Sequence, residues 1–336
     1  MFDVPLLLVL IILAALIFDF TNGAHDCANA IATVVSTKVL TPRVAVSLAA
    51  ALNLIGALLG TEVAHTLGTG IVRPELVMGS HILVLAALIG AIAWNSITWY
   101  FGIPSSSSHA LIGGIMGAAF ADAGPSALNL LSIVKKVVAP LLISPLAGFA
   151  VGFLMMLGIS IAFFRADRRF VNRFFRKSQM ASAGIMALSH GLNDAQKTMG
   201  VITLALLIFG KIDVVHVPLW VKLACALAMA AGTAVGGWKI VKTMGHKIFK
   251  LEPVHGFAAE TSAAMVIGCA SAFGAPISTT HTITACIFGV GSTKRLSAVR
   301  WGIAGHLIIA WVLTIPASAA VGAVSFLLLE AFEKLL

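Results

Sequence analysis

Hydrophobic residues run through this chain in long, uniform blocks, and the polar residues that interrupt them fall at helical rather than strand spacing. The first block, VPLLLVLIILAALIF, leads directly into DFTNGAHDCANAIATVVST, where Asp19, Asn22, Asp26, Asn29, Thr33 and Ser36 recur at alternating steps of three and four. That spacing predicts one polar face on a helix whose other faces are Ala, Ile and Val. Further blocks predict spans at 44–61, 81–101 and 137–164, with a short piece at 109–121. After a basic segment, others follow at 180–192, 198–210, 217–236, 257–273 and 300–329, with a short piece at 280–291. The first block has no basic flank and no small-residue cleavage pattern, so it reads as a span rather than a signal peptide.

Composition decides which solvent the polar face meets. Apolar residues fill 59% of 336 positions and charged residues only 10%. Blocks of this kind approach the roughly 20 residues that cross a bilayer as a helix. Their lack of period-two alternation excludes a membrane β-barrel. The expected fold class is an all-α polytopic membrane protein, in which a polar face has to line something. The net charge of +9 sits in short loops between spans, where it reports topology and not nucleic-acid binding. Cys27, Cys225, Cys269 and Cys286 lie in apolar surroundings without a CxxC spacing, so no disulfide, metal site or cofactor is expected.

The two halves share motifs. NGAHDCANAI from Asn22 aligns with HGLNDAQKTM from His190, pairing Gly23 with Gly191 and Asp26 with Asp194 at an offset of 168. GIPSSSSHALIGG from Gly102 aligns with GAPISTTHTITAC from Gly274, pairing Pro104 with Pro276 and His109 with His281 at an offset of 172. Two motifs at nearly one offset indicate an internal repeat. The expected organisation is an N-terminal repeat over 1–164, a basic cytoplasmic linker over 165–179 and a C-terminal repeat over 180–336.

An odd number of crossings per half makes the repeats inverted, with both termini on the outer side. The loops this places inside carry Lys38, Arg43, six basic residues from Arg165 to Lys177, Lys239, Lys242, Lys247, Lys250, Lys294, Arg295 and Arg300. Those outside carry Arg73, Lys135, Lys136, Lys211, Lys222 and Lys334, a distribution of fifteen against six that favours inversion. Interrupted helices at matching places in inverted halves are the mark of a secondary transporter with a midplane site.

GIPSSSSHA cannot face lipid, because Pro104 removes a donor and four hydroxyls compete for backbone bonds. It predicts the tip of a re-entrant hairpin whose half-helix starts near His109, with free N–H groups and a positive dipole end suited to an anion. Ser278, Thr279 and Thr280 predict the same in the second half, and two facing tips form a tetrahedral oxyanion cradle. Asp26 and Asp194 lie among apolar residues and are expected to be functional. Each either holds a coupling cation or proton, or accepts a hydrogen bond from a protonated substrate oxygen. Lys197 stands where the first half has Asn29, so its ammonium either fills a second cation site permanently, pairs with Asp194, or touches the anion. Glu260 is a further intramembrane carboxylate and a candidate proton carrier, with helix-end snorkelling the alternative. Asn53, Glu62, Asn95, His25, His190, His109 and His281 lie near these motifs without an assigned role.

With NGAHDCANA, HGLNDAQKT, GIPSSSSHA and GAPISTTHT in view, the chain resembles the PiT family of inorganic phosphate transporters over essentially its whole length. The resemblance implies symport of inorganic phosphate through an inverted-repeat fold, as a homodimer. It implies phosphate held by Ser105, Ser106, Ser107, Ser108, Ser278, Thr279 and Thr280, with Asp26, Asn29, Asn193 and Asp194 in the ion and substrate site. His25, Gln196 and Lys197 depart from the GANDVANA-like motif and look like the bacterial low-affinity branch. That branch is proton-coupled and accepts metal–phosphate complexes, with no firm resident metal site implied. The expectation is proton-coupled import of phosphate across a plasma membrane. A sodium-coupled symporter is the alternative, and an anion channel the alternative from another class. Hydrolase chemistry is not expected, since the hydroxyl tips show no paired base beyond the adjacent histidines.

Overall fold

The computed structural model describes residues 4–68, 80–214 and 216–335, and within them the chain is built from helices. Arg73, counted among the outer charges, lies outside the described residues. The first half holds α1 (Val4–Ser36), α2 (Pro42–Leu58), α3 (Glu62–Gly68), α4 (Ile82–Phe101), α5 (Ser107–Ala123), α6 (Leu130–Ile133) and α7 (Ala139–Ala162). The second holds α8 (Arg168–Ile208), α9 (Leu219–Val235), α10 (Trp238–Lys242), α11 (Pro253–Ala272), α12 (Thr279–Lys294) and α13 (Trp301–Leu335). Among the described residues α1, α4, α7 and α13 are long and apolar enough to cross a membrane. The α9 helix, bent by 60° from the segment that follows it, makes a fifth if the bent pair counts as one span.

The element order of the first half recurs in the second, and the packing between halves is reciprocal. α1 packs on α9 while α8 packs on α2; α5 packs on α13 while α12 packs on α7. Each motif helix therefore lies against the second helix of the other half. The motif glycines make this approach possible. A Cβ on Gly23 would sit 2.3 Å from the Met229 carbonyl oxygen, and one on Gly191 would sit 2.2 Å from that of Asn53. In a bilayer, small residues at such crossings let helices gain contact that apolar burial alone does not supply.

Each hairpin turns on a left-handed glycine, Gly102 at φ 68° and Gly274 at φ 63°, a conformation that glycine adopts without steric penalty. Each return helix then opens on a serine cap: Ser106 Oγ accepts from the His109 N–H at 3.3 Å, and Ser278 Oγ from the His281 N–H at 3.2 Å. The two tips meet, with Ser108 Oγ donating to the Ile277 carbonyl at 3.4 Å.

Two boundaries differ from those the sequence predicts. The basic segment is mostly helix, since α8 begins at Arg168, capped by Asp167, whose carboxylate accepts from Arg169 N at 2.9 Å and Phe170 N at 3.2 Å. The break expected between 192 and 198 is also absent: the helix runs through Asn193, Asp194 and Lys197, whose side chains meet Ser271, Thr279 and Ser108 from other elements.

Replacing Gly23 or Gly191 by Ala forces a backbone to move and is expected to destabilise by about 1–3 kcal/mol. Gly158→Ala, where no atom lies within 4 Å of the new carbon, is the control and should be neutral or slightly stabilising. Thermal unfolding in detergent measures the contrast, and equal midpoints for the three variants would contradict it.

Candidate functional site

The polar face of α1 points inward. Asp19, Asn22, His25, Asp26, Asn29 and Thr33 are all buried, as are His190, Asn193, Asp194 and Lys197 on α8. Both hairpin tips reach this pair of helices.

Asp26 receives donors from both tips: Ser107 Oγ donates to Oδ2 at 2.8 Å and Thr280 Oγ1 to Oδ1 at 3.1 Å. His25 Nδ1 lies 2.7 Å from Asp26 Oδ1, and its Nε2 lies 3.1 Å from Thr98 Oγ1. Asp194 receives Thr279 Oγ1 at 3.0 Å and the Lys197 ammonium at 2.5 Å, with His190 Nε2 at 3.2 Å from Oδ2. Asn29 donates its amide to Thr279 Oγ1 at 3.2 Å and Thr280 Oγ1 at 3.0 Å, while its Oδ1 has no protein partner.

The aspartates thus hold the same hydroxyls that an anion at the tips would need. Asp26, His190 and Asp194 each offer a ligand atom, all within 4.8 Å of one another, a set that fits a divalent cation.

Lys197 is fully buried and its Nζ touches three oxygens: Asp194 Oδ1 at 2.5 Å, Ser108 Oγ at 2.5 Å and the Ile277 carbonyl at 3.1 Å. This joins the first tip, the second tip and α8 through one ammonium. Of the roles left open for Lys197, pairing with Asp194 is realised, and the oxygen cage around it is of the kind that takes a small cation.

Other residues are placed differently from one another. Ser105 turns away from the aspartates and donates to Thr98 Oγ1 at 2.8 Å. Asn193 gives its amide to Ser271 Oγ at 2.8 Å. Glu260 is buried in mid-helix, which removes the snorkelling alternative. Its carboxylate accepts from Thr33 Oγ1 at 2.5 Å, from Gln179 Nε2 at 3.1 Å and from Ser182 Oγ. His109 and His281 stand ring to ring with centroids 5.0 Å apart, and His281 stacks on Trp311 at 4.0 Å. Trp311 Nε1 donates to the Pro104 carbonyl at 3.0 Å, clasping the first tip. Thr98, Gln179, Ser182 and Trp311 are additions that the sequence did not single out; each is one polar or aromatic side chain in an apolar or basic run, with no motif to mark it.

A family model described as a phosphate transporter family matches residues 22–322. A "Probable low-affinity inorganic phosphate transporter" of Bacillus subtilis (strain 168) is 47% identical over 330 residues, 98% of this chain and 99% of that protein. One of Rhizobium meliloti (strain 1021) is 50% identical over 322 residues, 95% of this chain and 96% of that protein. A solved structure of "The sodium-dependent phosphate transporter" superposes with a TM-score of 0.84 at 25% identity, covering 97% of this chain and 99% of that one.

Ser278→Ala removes the cap of α12 and is expected to cost about 1 kcal/mol, with Ser278→Asn restoring most of it. Thermal unfolding in detergent reads this directly, and an unchanged midpoint in Ser278→Ala would show that the cap contributes nothing.

Proposed function

The chain belongs to the phosphate transporter family, and from that premise we propose that it imports inorganic phosphate by proton-coupled symport through the site between the two hairpin tips. One observation carries the reading: Ser107, Thr279 and Thr280 give their hydroxyls to Asp26 and Asp194. An ionised carboxylate competes with phosphate for those donors and repels it. Neutralising Asp26 with a proton releases Ser107 and Thr280 and lowers the repulsion, so proton and phosphate favour each other's binding. A divalent cation held by Asp26, His190 and Asp194 would do the same, which supports transport of a metal–phosphate complex by the same site.

Lys197 supports a proton rather than a sodium ion on its own side. Its ammonium occupies the oxygen cage of Asp194, Ser108 and the Ile277 carbonyl, so no second small cation is needed there. On the other side Asn29 keeps an unpartnered Oδ1, leaving one exchangeable position. Glu260, on α11 and bonded to Thr33, which lies seven residues along α1 from Asp26, is a carboxylate suited to carry the proton onward. A pocket beside Ser36 and Thr37 at the end of α1, lined by Lys38, Arg168, Arg176 and Lys294 against Glu252, gives this end of the molecule a net basic surface that favours an anion. Reciprocal packing of the halves supports inverted repeats that alternate around this site.

Proteoliposomes loaded with purified protein test the reading. An inward pH gradient without sodium should drive uphill accumulation of labelled phosphate, and phosphate on the far side should stimulate counterflow, which a channel does not show. Asp26→Asn should lose pH-driven accumulation, and Lys197→Asn should become stimulated by sodium. Accumulation driven by sodium but not by pH in the unmodified protein would overturn proton coupling.

A further inference from the structure

We infer that Asp19 is a further, separate proton-binding site, lying two helical turns from Asp26 on the N-terminal side of the phosphate site, an inference that rests on the proton-coupled reading above. Asp19 is fully buried, and neither carboxylate oxygen has a protein hydrogen-bond partner. Asn22, one turn along α1, is buried with Nδ2 and Oδ1 both unpartnered, and so is Thr198 Oγ1 on α8. Asn22 and Thr198 are the polar neighbours of Asp19, close enough to interact with its carboxyl, though none of their atoms meets it at full hydrogen-bond geometry. Five polar atoms in one interior spot therefore lack a full hydrogen bond, whereas Asp26, Asp194 and Glu260 are each bonded by two or more donors.

An ionised Asp19 has no cation within contact. The titratable groups that face it are Asp194 and Lys197 from α8 and the Cys225 thiol from α9; α4, which also packs on α1, has no acidic or basic side chain. Lys197 already spends its ammonium on Asp194, Ser108 and the Ile277 carbonyl. A protonated Asp19, by contrast, gains a donor in a pocket where Asn22 Oδ1 and Thr198 Oγ1 stand ready to accept. The same pocket can donate to the ionised acid from Asn22 Nδ2 and the Thr198 hydroxyl and accept from the neutral acid at Asn22 Oδ1 and Thr198 Oγ1, so it can hold both forms that a proton-exchanging site must take up.

The position also fits a route. Asp19, Asp26 and Thr33 lie seven residues apart on one face of α1, about 10 Å per step. Thr33 holds Glu260 of α11, so three carboxylates line up beside α1, two on it and one against it, with the phosphate site in the middle. On α8, Thr198 is one turn from Asp194, which joins the Asp19 pocket to the phosphate site.

The test uses the full chain in proteoliposomes and compares pH-driven accumulation with phosphate counterflow. Asp19→Asn keeps the shape of the neutral acid but cannot exchange a proton. It is expected to lose accumulation by about tenfold or more, the scale of a site-to-site coupling, while keeping counterflow close to that of the unmodified protein. Asp19→Glu should restore accumulation. If Asp19→Asn does not elute as folded protein, Thr198→Val takes its place, with weakened accumulation and preserved counterflow expected. Accumulation by Asp19→Asn equal to that of the unmodified protein overturns the inference alone. Loss of counterflow together with accumulation in a folded variant also overturns it, because Asp19 then serves the phosphate site itself. An unmodified protein that ignores the pH gradient brings down the proton-coupled reading and this inference with it. Sodium-driven accumulation that vanishes in Asp19→Asn would assign the pocket to sodium instead.

Discussion

The structure depends on a competition for hydroxyl protons. Inside a bilayer an ionised carboxylate is costly unless donors surround it, and Asp26 and Asp194 obtain theirs from hairpin tips that come from both halves of the chain. The tips supply hydroxyls and helix N-termini and no guanidinium, so their hold on any anion is set by how many hydroxyl protons are free. Ser107 and Thr280 are committed to Asp26, and Thr279 to Asp194. In the proposed mechanism, whatever neutralises the carboxylates also frees these hydroxyls for an anion.

The scaffold holds that competition in place. Gly23 and Gly191 bring each motif helix against the other half, Gly102 and Gly274 turn the hairpins back, and Ser106 and Ser278 start the return helices at matching points. Symmetry is broken at Lys197, whose counterpart is Asn29. The ammonium bridges Ser108, Asp194 and Ile277, so one side of the site carries its own charge while the other keeps an unpartnered amide oxygen.

Much of this was legible in the sequence because the relevant signals are periodic or repeated. The polar face from Asp19 to Thr33 stands out at steps of three and four, and the tips stand out because a proline and hydroxyl runs have no place in lipid. The continuity of α8 was not legible: NDAQK in an apolar run has the look of a break, and the side chains that meet it there come from elements distant in sequence. Gln179 and Ser182 were hidden for a related reason, since Gln179 falls in the segment that reads as a linker and Ser182 just beyond it. Asn193 shows the limit of mapping by motif. It shares a segment with Asp194 yet faces Ser271, because adjacent residues on a helix point about 100° apart.

The most direct test of the competition is the phosphate affinity of the purified protein as a function of pH, corrected for the titration of phosphate itself. The account predicts that affinity rises as pH falls, by up to about tenfold per pH unit where one proton is taken up with each phosphate. It also predicts that Asp26→Asn binds phosphate with that dependence weakened or gone. An affinity independent of pH in the unmodified protein would contradict it.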